Sequence, residues 1–218
     1  MKSRVLLVLF LSLQLGCSVF GSRSEETARY EVLEADGPFE IRQYSSTVIA
    51  KTEVSGDYKS SQSEAFKILA GYIFGGNTTK TKIAMTAPVE QSQKPSSVKI
   101  AMTAPVTQTQ SDSGWVMTFM MPSQFKLEDL PTPNDSRVQI EQVPEKTVAA
   151  LRFSGSRSEK ENAKKAEELK SWIESRGSFE IKPTENLPRS AGYDPPWTLP
   201  PFRRNEVMFD VRKLEQRN

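Results

Sequence analysis

Hydrophobic and polar positions alternate along several short stretches of this chain. Phe39-Glu40-Ile41-Arg42-Gln43-Tyr44 keeps a period of two, which predicts a β-strand. Arg29–Ala35 also alternates, with Tyr30, Val32 and Leu33 as its apolar set, and Gly37-Pro38 after it marks a turn. Trp115–Met121 and Val138–Val143 read as strands for the same reason. Elsewhere the period lengthens. Phe66, Leu69, Ala70 and Ile73 fall on one stripe of a helix and predict its core face. Ile68, Gly71 and Tyr72 lie on the face that this stripe leaves open. A second helix is predicted from about Ser158 to Arg176, buried through Ala166, Leu169 and Ile173 and closed by Gly177 as C-cap. Its other face is Glu and Lys, as a solvated face should be.

The elements come in two similar sets. Thr47-Val48-Ile49-Ala50 leads to Val54-Ser55-Gly56, a polar stretch and the first helix. Thr147-Val148-Ala149-Ala150 leads to Phe153-Ser154-Gly155, a polar stretch and the second. Such self-similarity predicts two like halves, with Pro131–Asp135 as the loop between them. Strands, helix, strands, twice over, is an α+β plan.

Composition narrows the class. The chain has 218 residues, 37% hydrophobic and 26% charged, the profile of one globular domain. With 29 basic and 27 acidic residues the net charge is +2, without the basic excess of a nucleic-acid binder. The N-terminus reads as an address. Lys2 and Arg4 precede an apolar run, Val5–Leu13, too short to span a bilayer and suited to a signal peptide. Leu15-Gly16-Cys17 follows, and Cys17 is the one cysteine. Residues 1–16 are therefore expected to be a signal peptide, with Cys17 lipidated, 17–28 a flexible tether and 29–212 the domain. The expected location is the cell envelope, as a membrane-anchored lipoprotein facing the periplasm. Gln14 stands where a lipidation motif usually has an aliphatic residue, and simple secretion with cleavage near Gly21 is the alternative. A single cysteine rules out an intrachain disulfide. Asn77-Thr78-Thr79 and Asn134-Asp135-Ser136 match the glycosylation pattern.

Histidine is absent. No Ser-His or Cys-His nucleophile pair can be built, nor any histidine-ligated metal centre. No glycine-rich nucleotide loop is present. A carboxylate in an apolar cleft remains the one acid–base option; Glu206, beside Arg203-Arg204, is its candidate. Structural ion pairing of that glutamate is the competing reading.

The strongest signal is an octapeptide that occurs twice. Lys-Ile-Ala-Met-Thr-Ala-Pro-Val spans 82–89 and returns unchanged at 99–106. Tyr72-Ile73-Phe74-Gly75-Gly76-Asn77 precedes the first copy. Gly192-Tyr193-Asp194-Pro195-Pro196-Trp197 and Arg203-Arg204-Asn205-Glu206-Val207 lie far downstream. In this order, from about Tyr30 to Val211, the segments resemble the SOUL/heme-binding-protein family. The resemblance implies a distorted antiparallel β-barrel flanked by two helices in pseudo-symmetric halves. It also implies a non-catalytic binder of heme or free porphyrin, held non-covalently and weakly. The architecture is similar, too, to effector-binding domains that take flat apolar ligands between two halves.

Three elements are candidates for that ligand. Met85 and Met102 of the octapeptides could line a pocket with soft, adaptable side chains, or the octapeptides could be strand edges closed by Pro88 and Pro105. Ile68, Gly71 and Tyr72 could receive a flat ligand over the glycine, or a loop such as the Pro-rich tail could cover them. Tyr193, Trp197 and Arg203 belong to a stiff aromatic flap whose arginines could meet carboxylates, or the flap could simply pack on the barrel. Bound iron would have tyrosine, methionine, lysine or no protein ligand. The expected partners are a tetrapyrrole and, through a lipid anchor, a membrane; no nucleic acid is expected, and the protein should be a monomer. The rival functions are an enzyme working through a cleft carboxylate such as Glu206, and an envelope interaction module without a ligand.

Overall fold

The computed structural model describes residues 25–93, 114–183, 186–195 and 197–214. The lipidation candidate Cys17 and the second octapeptide, with Met102, lie outside the described residues. Ten strands form one antiparallel sheet: β1 (Tyr30–Asp36), β2 (Phe39–Tyr44), β3 (Thr47–Ser55), β4 (Val89–Gln93), β5 (Gly114–Met120), β6 (Gln139–Val143), β7 (Lys146–Phe153), β8 (Phe179–Ile181), β9 (Arg189–Gly192) and β10 (Asn205–Lys213). Their order is β1-β2-β7-β10-β9-β4-β5-β3-β6, with β8 added beside β10. The sheet curls into a half-barrel and carries two helices, α1 (Tyr58–Ile73) and α2 (Glu159–Arg176). This is the α+β plan that the sequence predicts, in the distorted-barrel form that the family resemblance implies.

The two halves are visible in the strand order. From the β4–β9 seam, one side runs β4, β5, β3, β6 and the other β9, β10, β7, β2. In both, the strand that leads into the helix stands third. Each helix starts on a side-chain cap: Asp57 accepts from the Lys59 and Ser60 amides, and Ser158 from the Glu161 amide. These caps satisfy donors that a helix start leaves open. Gly177 ends α2 at φ 67°, a left-handed position that suits glycine.

Strand alternation sorts the side chains onto two faces. Val48, Ala50, Val54, Met117 and Phe119 point at α1 and join Leu69, Tyr72 and Ile73 in one core. Ile41, Ala149, Leu151, Val207 and Phe209 point at α2 and join Ala166, Leu169, Trp172 and Ile173 in another. α1 packs on β3 and β5, while α2 packs on β7, β8 and β10. The seam strands β4 and β9 thus lie in a groove between the helices.

Three expectations are corrected. The face of α1 is rotated: Ile68 and Tyr72 are buried in the core with Leu69 and Ile73, whereas Phe66 is exposed at 39%. Several strands offer apolar surface to α1, so its buried stripe is wider than the i, i+3, i+4 rule selects. The Tyr72 hydroxyl donates to the Pro131 carbonyl at 3.0 Å, so the loop between the halves covers this side, and the Pro-rich tail does not. Gly71 is exposed, and a Cβ there would meet nothing within 4 Å. It shares a stripe with Glu64, which pairs with Arg137 at 3.3 Å. The first octapeptide, secondly, is irregular until Val89 starts β4. Its Ile83, Thr86 and Ala87 are buried, held by the Ile83 amide to the Ile73 carbonyl and the Thr86 hydroxyl to the Met120 carbonyl. The third concerns Asn77: it is 1% exposed, and its Nδ2 donates to the Tyr72 and Thr81 carbonyls. A glycan there would break the turn that follows α1. Contacts with the fold also begin before the expected tether ends: the Ala87 amide donates to the Glu26 carbonyl, and Thr27 bridges Ala87.

Candidate functional site

The concave face of the sheet is built from charge. Glu40, Arg42 and Tyr44 are the alternate residues of β2, and Glu206, Met208 and Asp210 those of β10. Arg42 and Glu206 are 1% and 0% exposed. They form a two-pronged pair, Nη1 to Oε2 at 2.7 Å and Nη2 to Oε1 at 3.0 Å. Arg204 adds Nε and Nη2 to Oε1 at 3.0 and 2.7 Å, and the Tyr193 hydroxyl donates to Oε2 at 2.7 Å. Arg42 also lies over the Tyr30 ring at 4.4 Å and Arg204 over the Tyr193 ring at 4.1 Å. Arginine suits such a site because its planar fork matches a carboxylate and its face stacks on aromatic rings. A second group, Arg189 with Asp210 at 2.6 Å and Glu90 at 3.3 Å, occupies the same face.

This geometry settles the state of Glu206. Burial works to raise its pKa, but the Arg42 and Arg204 cations and the Tyr193 hydroxyl outweigh it and hold the carboxyl below its usual value. Both oxygens are saturated with donors, so it neither receives nor releases a proton near neutral pH. Tyr193 is pushed well above its ordinary value, first by burial and then by the Glu206 charge; burial pushes Tyr44 up to about 12. Both hydroxyls are therefore protonated near neutral pH. The cavity between Thr27, Ala28, Tyr30, Tyr44, Tyr193 and Arg204 measures about 20 Å³, room for a single water and far below the ~300 Å³ or more of a ligand pocket. Among the described residues no three His, Cys, Asp or Glu side chains gather to hold a metal.

The groove on the helix-bearing face is chemically different. Val89, Gln91, Ser190 and Gly192 share its floor by strand register. Phe119 pairs with Val89, and Phe66 from α1 packs on the Phe119 ring at 5.5 Å. Phe66, which the sequence assigned to the core, therefore borders the groove. Met85 is partly buried against the same core. At one end the halves are tied together: the Tyr58 hydroxyl donates to the Arg157 carbonyl and accepts from Asn162 Nδ2, both at 3.1 Å. The flap closes on this end through the Gly155 amide to the Pro200 carbonyl at 2.9 Å. Within the flap Tyr193 turns inward, while Trp197 is 63% exposed. Arg203 Nε donates to the Thr198 carbonyl at 2.7 Å.

The structure thus separates the sequence candidates. Ile68 and Tyr72 are core, Gly71 faces solvent on the Arg137 side, Met85 flanks the first core, and Tyr193, Trp197 and Arg203 share the flap. Sequence reasoning missed Arg42 and Arg157. Arg42 had a signal, its place on β2 with Glu40 and Tyr44 and opposite the apolar Ile41; Arg157 had none.

Comparison with known proteins agrees with this architecture. The family model described as SOUL heme-binding protein matches residues 25–210. Heme-binding protein 2 of Homo sapiens is 30% identical over 200 residues, covering 89% of each chain. Heme-binding protein 2 of Mus musculus is 31% identical over 180 residues, 82% of this chain and 80% of the relative. Among solved structures, the EcmrR C-terminal domain superposes with a TM-score of 0.57 at 14% identity, over 85% of this chain and 99% of that one. A hydrolase from Listeria innocua superposes with a TM-score of 0.53 at 14% identity, over 83% and 94%. These two likenesses concern the fold alone. With the family model spanning both halves, the groove and the flap, the chain belongs to the SOUL heme-binding protein family.

Proposed function

We propose that this protein binds heme or another tetrapyrrole, non-covalently, in the groove between its helices, and that it carries, buffers or sequesters the ligand without transforming it. The supporting observation is the groove itself. An exposed phenylalanine at its edge, Phe66, and a flap with an exposed tryptophan, Trp197, suit a flat ring. The relatives named as heme-binding proteins point to the same ligand class. Catalysis through Glu206 has no chemical basis, since the carboxylate is fully engaged by two arginines and a tyrosine.

Without histidine, and with Tyr193 held as a phenol, apolar contact is the main source of affinity. Hemin and iron-free protoporphyrin should therefore bind within about tenfold of each other, ~1.4 kcal/mol. Spectrophotometric titration of the mature domain measures both. A hemin preference of a thousandfold would require a strong protein ligand to iron and would overturn this reading.

The site of action we propose is the cell envelope, with Cys17 as a lipid anchor. The support is the sole cysteine after an apolar run and Leu15-Gly16. In a bacterial host the full chain should sediment with membranes, and Cys17→Ser should release or misprocess it. If both forms are freely soluble, simple secretion is the correct reading.

A further inference from the structure

The groove floor holds an amide without a partner. Gln91 is 4% exposed, and neither its Nε2 nor its Oε1 meets a hydrogen-bond partner among the described residues. Buried amides are nearly always paired, so this one has the capacity for a further partner, a water or a ligand group. Asn162 Oδ1, at the tied end of the groove, is in the same state.

Arg157 stands beside it. Arg42, Arg189 and Arg204 each hold a carboxylate. No carboxylate pairs with Arg157 among the described residues; Tyr58 is its polar neighbour. The guanidinium lies against Gly192, with Nη1 so close that a Cβ at that position would overlap it. Gly192 is two residues from Ser190, the strand partner of Gln91, and points to the same face. Burial, with the neighbouring Arg203 cation, pushes the Arg157 pKa down. Arg157 is a partly buried cation with a second cation nearby and no carboxylate paired with it among the described residues, an unfavourable arrangement unless an anion completes it.

We propose that Arg157, with Arg203 behind it and Gln91 on the floor, seats a carboxylate of the bound ligand. This deepens the tetrapyrrole reading and rests on it: the ring lies against Phe66, and a propionate-type side chain reaches the Arg157 end. A guanidinium fork takes a carboxylate through two parallel hydrogen bonds. Gly192 has its role here, because any side chain at that position would push the fork out of the groove.

The test compares protoporphyrin with its dimethyl ester, in the same detergent, by fluorescence titration of the mature domain. Wild type should favour the diacid by about tenfold or more, ~1.4 kcal/mol. Arg157→Gln and Gly192→Ala should each lose that preference, read as the ratio of the acid and ester affinities within the same variant. Gly192→Ala keeps every charge and requires only the guanidinium, the far end of a flexible side chain, to move. It therefore decides the matter even if Arg157→Gln folds poorly. Equal binding of acid and ester by wild type, or a preference that survives in Gly192→Ala, overturns the carboxylate seat and leaves tetrapyrrole binding intact. If wild type binds neither compound, the tetrapyrrole reading falls and the seat falls with it.

Discussion

Replacing Glu206 by glutamine should destabilise the protein by ~3–5 kcal/mol, the usual cost of removing one partner from a buried ion pair. Glu206 is 0% exposed and is the shared counter-charge of Arg42 and Arg204. Glutamine keeps the shape and one acceptor but leaves two guanidinium groups with no carboxylate between them. The loss should appear as a lower urea midpoint with an unchanged slope. It should also depend on pH in one direction. The folded carboxyl sits below the ordinary 4.5. Its contribution is therefore complete above the unfolded pKa and disappears as pH falls through the folded value. The gap between wild type and Glu206→Gln should accordingly be full at pH 7 and shrink below about pH 4, as the shared carboxyl becomes protonated in wild type. A variant within 1 kcal/mol of wild type at pH 7 would mean that water reaches the network and that the concave face is open.

Leu69→Ala should cost ~2–5 kcal/mol, because it removes a buried side chain and leaves a cavity. Leu69 is 0% exposed between α1 and the β3–β5 face. Sequence and structure agree on this residue, and its effect on ligand binding should follow from the unfolded fraction alone. Titration under conditions where the variant is fully folded provides the check. A folded Leu69→Ala protein with tenfold weaker binding would place the ligand inside the first core and not in the groove.

Glu206 and Leu69 also show how far the sequence reaches. Alternation in Phe39–Tyr44 located β2, and the apolar spacing around Leu69 and Leu169 located both helices. The paired Thr47 and Thr147 units gave the two halves, and these return as equivalent positions on either side of the β4–β9 seam. Such features follow from local period and self-similarity, which the chain carries without knowing its neighbours. The repeated octapeptide and the Tyr193–Arg204 tail carried the family.

What lay beyond the sequence depended on what packs against what. A polar strand face normally means solvent, yet here the sheet curls, and Arg42, Glu206 and Asp210 become interior. The sequence could pair Glu206 with its neighbour Arg204, but the partner from β2 is 164 residues away. The rotation of α1 was hidden for a related reason. Phe66, Ile68 and Tyr72 are all apolar, and only the position of β5 and of the Pro131 loop decides which of them is covered. Arg157 is the furthest case. In the sequence it is one more basic residue before a helix. Its place over Gly192, between two halves and without a carboxylate among the described residues, exists only once the strands are paired, because register and curvature bring together residues that no local pattern links.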